Sequence, residues 1–263
     1  MNVSIERMER ESNKKSVLHN IDNRIKLIIT IGIIIYAVYT QNLFVLLVME
    51  IYLILLILLS KISFSYALKR ILLILPFGGA IAIFQPFIKS GAVLYTLPLG
   101  ITMTYEGTIF GILLLSRLIV CITAIVLLSS VTPMQEIINS ARKLGMPREF
   151  SMILSLMIRY LFMFYDELLK IRDAQKSRCF DIWSKKTAYL WRLKQIGYTI
   201  MMMFLRSYEQ GENVYFSMLS RGYSDNSRLY NDNKKLNVKD YTFIAITISL
   251  ISLLEITRYF SVI

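Results

Sequence analysis

Long apolar blocks separated by short polar breaks fill most of the first half of the chain, and the pattern changes after Pro133. The blocks run from Ile25 to Tyr39, Leu43 to Leu59, Ile71 to Ile88 and Gly107 to Val131, with a fifth near the C-terminus from Tyr241 to Phe260. A helix crossing a bilayer needs about 20 mostly apolar residues, fewer where flanking Lys or Arg can snorkel. Each block therefore predicts a transmembrane helix. Read as one helix, Ile25 to Leu59 would be about 52 Å long, far more than a bilayer needs, so Thr40-Gln41-Asn42 predicts a tight turn. Pro76, Gly78, Gly79 and Pro86 interrupt the third block and predict a kinked or partly unwound helix. That irregularity serves either as a packing kink or as a groove for another membrane subunit at Gly78, Gly79 and Ala80.

Beyond Pro133 the apolar residues become periodic. Thr132-Pro133-Met134-Gln135-Glu136 reads as a helix start, with Pro at an early position and acid in the first turn. Leu144-Gly145-Met146-Pro147 reads as a stop. Ile153, Met157, Leu161, Phe164, Leu168 and Ile171 then recur every three or four positions, predicting an amphipathic helix of about seven turns. A polar connection containing Trp183, Lys185, Lys186 and Trp191 leads to a second helix from near Leu193 to Leu219, with Gly222 as its cap.

Composition turns these elements into a class. The chain has 263 residues, is 55% hydrophobic and has a mean hydropathy of +0.53, too apolar for a soluble domain. The net charge of +12 reports topology rather than nucleic-acid binding, because no soluble domain is present to display a basic surface. Arg7, Arg10, Lys14, Lys15, Arg24 and Lys26 precede or open the first span, and eighteen of the 30 Lys and Arg lie between Pro133 and Asp240. The bias of basic residues to the inside places the N-terminus and that long segment in the cytoplasm. No cleavable signal peptide is visible, and the isolated Cys121 and Cys179 give no disulfide framework. The expected fold is an all-α integral membrane protein with about five transmembrane helices and a cytoplasmic-side module of long amphipathic helices. Its divisions are a tail at 1–24, four helices in 25–131, the amphipathic module at 132–240 and a last span at 241–263.

Candidate chemistry is sparse and unevenly placed. Tyr165-Asp166 is followed by Ser177-Arg178-Cys179, and Tyr208-Glu209 by Ser220-Arg221-Gly222; in each case the Arg stands twelve residues after the acid, and the copies are offset by 43 residues. Either triplet alone is explained by capping, since Arg suits the negative end of a helix and Gly ends one. Recurrence with the same upstream aromatic–acid pair points further, to two basic helix ends that meet a two-fold symmetric partner. Arg is suited to a carboxylate-lined groove because its planar fork stays charged. Within the spans, Glu50 and Arg117 lie at nearly equal depth and are expected to pair or share a polar network. The sole histidine, His19, lies in the tail, and no His/Cys/carboxylate cluster has ligand spacing, so no metal site is expected.

These residues resemble the transmembrane (T) component of energy-coupling factor transporters, ATP-driven importers of vitamins and metal ions. Asp22-Asn23-Arg24-Ile25-Lys26 is similar to a family segment that normally reads Asp-Pro-Arg-x-Lys, with Asn23 in place of Pro. Glu106-Gly107, Arg117, Thr132-Pro133 and Leu144 to Pro147 also fit the pattern. The two Ala-Arg-Gly-type motifs of the family fall on Ser177-Arg178-Cys179 and Ser220-Arg221-Gly222. Phe204 to Glu209, Glu212 to Tyr215 and Met218 look most like the cobalt-type branch, CbiQ or EcfT-like.

The resemblance implies a non-catalytic subunit of a plasma-membrane transporter. Its two motifs would insert into grooves of two ATPase subunits, which hold the ATP and Mg. A separate substrate-binding membrane (S) subunit would capture cobalt or nickel. The chain has no phosphate-binding Gly-rich Lys-Ser/Thr loop of its own. Three alternatives stay open. A T component could serve vitamin uptake instead. An ordinary ATP-driven importer domain is weakly suggested by Ala141 to Gly145 but lacks the downstream Leu-Pro element. An integral membrane enzyme would need clustered acids, His or a nucleophile.

Overall fold

The first two helices begin where short polar side chains serve as caps. The computed structural model describes residues 18–19, 21–60, 64–89, 91–96, 102–180, 188–224 and 237–262. Expectations for most of the N-terminal tail and for Trp183, Lys185 and Lys186 fall outside these residues. Asp22 accepts the Arg24 N–H at 2.9 Å to open α1 (Asn23–Tyr39), and Asn42 accepts the Phe44 N–H at 3.1 Å to open α2 (Leu43–Leu59). Such caps satisfy N–H groups that have no partner in the first turn of a helix. The break at Thr40 to Asn42 lies where the sequence predicts it.

α3 (Phe64–Ile88) bends by 40° between Ala67–Pro76 and Gly78–Ile88, the kink expected of Pro76 and its glycines. A short antiparallel hairpin follows, β1 (Val93–Thr96) and β2 (Thr102–Thr104), pairing Val93 with Thr104 and Thr96 with Thr102. This hairpin departs from the expected all-α pattern. β-branched and aromatic residues favour the pleated conformation there, and Thr104 Oγ1 donates to the carbonyls of Pro86 (3.1 Å) and Lys89 (2.7 Å), tying the hairpin to the end of α3. α4 (Tyr105–Val131), α5 (Met134–Lys143), α6 (Arg148–Ser177), α7 (Tyr189–Ser220) and α8 (Val238–Val262) complete the order.

Helices occupy all five predicted apolar blocks. Among the described residues, Tyr105–Val131 and Val238–Thr257 are long and apolar enough to cross a membrane, and the bent α3 adds a third if counted as one span. α1 and α2 are 17 residues each, about 25 Å of helix against a hydrocarbon core of about 30 Å.

The chain divides into two compact units, Met1–Pro147 with Lys235–Ile263, and Arg148–Lys234. In the first, α4 packs on α1, α2 and α3. Leu46, Met49, Leu53, Ile57, Val120 and Thr123 are fully buried there, whereas Ile35, Leu72, Leu73, Ile83 and Phe84 are exposed. Exposed apolar residues of that number suit a bundle whose outer surface meets hydrocarbon rather than water.

The seam between α3 and α4 depends on two glycines one turn apart, Gly107 and Gly111. A Cβ at Gly107 would lie 2.7 Å from Pro86 Cα, and one at Gly111 would lie 2.7 Å from the Ala82 carbonyl oxygen. Small residues at this spacing let two helix backbones approach. Gly78 serves the same seam, since a Cβ there would lie 1.9 Å from Leu118 Cδ1. The irregular segment is thus a packing kink against the chain's own α4; of the three residues read as a groove, only Ala80 is exposed.

Candidate functional site

The second unit is built on α6 and α7, whose polar contacts fix their direction. Glu167 pairs with Arg206, Gln175 Nε2 donates to Thr199 Oγ1 at 2.7 Å, and Arg148 donates to the Ser224 carbonyl at 3.2 Å. Each step forward along α6 is met by a step back along α7, so the helices are antiparallel. Their C-terminal ends therefore lie at opposite ends of the pair, roughly 35 Å apart at 1.5 Å per residue. Between them opens an apolar groove of about 780 Å³ lined by Met152, Leu156, Tyr160, Val214, Tyr215 and Met218, among others.

The two ends are built alike, bond for bond. In α6, Phe180 N–H donates to Gln175 O (3.0 Å) and Cys179 N–H to Lys176 O (2.9 Å); in α7, Tyr223 N–H donates to Met218 O (3.0 Å) and Gly222 N–H to Leu219 O (2.9 Å). This closure needs a left-handed residue just after the cap. Cys179 has φ 59° and Gly222 φ 79°. Left-handed backbone is free for Gly and costs an ordinary residue about 1 kcal/mol, so Cys179 is held there against its preference. Aromatic side chains follow at both ends: Phe180 packs edge-on against Trp191 at 5.2 Å, and Tyr223 lies under the Arg148 guanidinium at 5.8 Å.

α5 ends in the same way, with Gly145 at φ 112° and Met146 N–H bonded to Ala141 O at 3.2 Å. Backbone closure alone therefore does not mark a site. What sets α6 and α7 apart is the residue at the cap. It is Leu144 in α5, but Arg178 and Arg221 in the other two, both exposed. Among the described residues no ion pair or hydrogen bond holds either guanidinium. Ser177 and Ser220 turn their hydroxyls back onto the carbonyls of Asp173 (3.0 Å) and Phe216 (2.8 Å) of their own helices.

The upstream pairs lie elsewhere. Tyr165-Asp166 and Tyr208-Glu209 sit mid-helix, about 18 Å from the arginines that follow them, and beside the crossing marked by Glu167 and Arg206. Asp166, Tyr208 and Glu209 are exposed and Tyr165 is half-buried. The Glu167–Arg206 pair was not singled out in the sequence, although its position next to both aromatic–acid pairs was the available signal.

The expected partnership of Glu50 with Arg117 is corrected. Arg117 donates through Nε (3.0 Å) and Nη2 (2.7 Å) to the Thr40 carbonyl, whereas Glu50 accepts from Thr123 Oγ1 at 2.9 Å. No ion pair joins them. Thr40 caps the C-terminal end of α1, where carbonyls lack helical partners and the helix dipole is negative, so a cation is drawn there. Among the described residues there is no group of three or more His, Cys, Asp or Glu that could hold a metal.

Fold and site together define a helical membrane protein with a two-helix module tipped by two matching arginines. The chain belongs to the CbiQ family, described as cobalt transport protein, whose profile matches residues 14–230. An uncharacterised protein of Methanocaldococcus jannaschii is 29% identical over 94% of this chain and 84% of its own length. The energy-coupling factor transporter transmembrane protein EcfT of Listeria innocua is 28% identical over 79% of this chain and 81% of that protein. A putative fused cobalt transport protein CbiMQ of Methanocorpusculum labreanum is 31% identical over 42% of this chain and 18% of that protein.

Proposed function

We propose that the chain is the T component of an energy-coupling factor importer, carrying motion from two ATPase subunits to a substrate-binding membrane subunit. The observation that carries this reading is the twin construction of the helix ends, each with an exposed Arg at a left-handed closure, at opposite ends of one antiparallel pair. An antiparallel pair has a local two-fold axis, so a dimer of related ATPases meets both ends in equivalent ways. ATP binding would close the dimer, move Arg178 and Arg221 with their grooves and change the angle between α6 and α7. The apolar groove between those helices would pass the change to the S subunit.

In this reading α1, α2, α3, α4 and α8 are five spans, with the N-terminus and the arginine-tipped module in the cytoplasm of a plasma-membrane protein. The chain itself catalyses nothing, and ATP and Mg belong to the ATPases. Cobalt is the preferred cargo because the family is described by cobalt transport; nickel belongs to the same class of ion. The decisive test combines Arg178→Glu and Arg221→Glu in the assembled transporter. Metal uptake falls to background and the ATPases no longer copurify, while the chain still inserts in the membrane. Full uptake by the double variant defeats the proposal.

A further inference from the structure

Three helix starts that are distant in sequence meet near Asp22. Asp22 caps α1, Glu136 lies in the first turn of α5 and Asp240 in the first turn of α8. Asp240 accepts the Asp22 N–H at 2.9 Å and the Asn237 N–H at 2.7 Å, fastening α8 to the start of α1. α5 packs on α1 as well, and one polar link between them runs through a neutral side chain. Lys26 is only 5% exposed, and its ammonium donates to Asn23 Oδ1 at 2.8 Å and to the His19 carbonyl at 3.4 Å. A buried cation must keep its acceptors, so the amide oxygen of Asn23 is held toward Lys26. Its NH₂ then has one direction left, and there it donates to Glu136 Oε2, 113 residues away in sequence.

We infer that Asn23 is a positioning residue whose amide relays the buried Lys26 charge to Glu136 and so fixes the first turn of α5. An amide serves both neighbours at once, because Lys26 needs an acceptor and Glu136 a donor. A carboxylate would satisfy the first and repel the second. The consequence reaches beyond the relay itself. α5 is the segment between α4 and the Gly145 turn that precedes α6, and Asn23 anchors its first turn to the start of α1. This goes beyond the proposed transport role and holds whether or not ATPases dock on the chain.

The test is amide hydrogen exchange on the purified full chain in detergent, with buried α4 amides as internal reference. Asn23→Asp keeps the Lys26 acceptor and sets a carboxylate against Glu136; exchange in residues 134–143 rises about fivefold, the population change that goes with loss of one hydrogen bond. Glu136→Gln alone leaves the rate within about twofold of the parent, since Gln still offers an acceptor. The double variant Asn23→Asp with Glu136→Gln restores slow exchange, because the Gln amide now donates to Asp. Glu136→Ala alters an exposed side chain, folds whatever Asn23→Asp does, and also raises α5 exchange while α4 stays unchanged. Parental rates in both Asn23→Asp and Glu136→Ala, or no restoration in the double variant, overturn the relay.

Discussion

A methyl group added at Gly111 in the first unit would meet the Ala82 carbonyl at 2.7 Å; added at Gly197 or Gly211 in the second, it would meet nothing within 4 Å. The same residue type serves opposite purposes. In the first unit, Gly107 and Gly111 mark the place where two helix backbones close on each other. In the second, α7 has no buried residue at all, and its definition comes from polar rungs and from the ends. One region is specified by volume, the other by termini, so substitutions should act by different rules in each.

The largest expected effect tests that contrast directly. Gly111→Leu forces α3 and α4 apart and lowers stability by about 3 kcal/mol, the upper range for overpacking, read as a drop in unfolding midpoint in detergent. Gly197→Ala has open space and a better helix former, and gains about 0.5 to 1 kcal/mol. Equal effects at the two sites would erase the distinction between the units.

Next in size is Arg117→Ala, which removes two charge-assisted bonds to the α1 end and costs about 1.5 to 3 kcal/mol. Because Glu50 and Arg117 have separate partners, exchanging the two charges rescues nothing. Folded yield of the exchanged variant above that of either single Ala variant would show that the charges do interact.

The smallest effects have opposite signs at the two helix ends. Cys179→Gly relieves a left-handed residue and stabilises the end of α6 by about 1 kcal/mol, while Gly222→Ala costs α7 about as much. Hydrogen exchange in the last turn of each helix measures both. If both variants shift in the same direction, the shared backbone closure is not what orders these ends.

Features encoded within a few residues were legible from sequence. The break at Thr40 to Asn42, the start at Pro133, the stop at Gly145 and the bend at Pro76 each follow from local backbone chemistry, and all lie where they were expected. Contacts across the fold were harder. Equal depth suggested that Glu50 and Arg117 meet, but depth does not fix which way a side chain leaves its helix. Thr123, one and two-thirds turns beyond Arg117, was the nearer partner for Glu50. The Gly107–Gly111 seam was visible as spacing but sat at the edge of an apolar block, where it read as a boundary. The hairpin after α3 was missed because its strands are only four and three residues long. Of the candidate site, the two arginines at helix ends and the Gly222 cap were legible, whereas the left-handed closure at Cys179 was not. The role of Asn23 was not, since its two partners are a neighbour and a residue far along the chain.

Ser177 and Ser220 have a consequence for how such ends are recognised. With each hydroxyl turned to its own helix, a surface docking as proposed would meet a small methylene-sized step, much as it would at an alanine. The first letter of the motif is then silent, and Cys179 at φ 59° shows that the third can change while the turn of the chain does not. What the two ends of this chain share is the handedness of the residue after the arginine and not its identity.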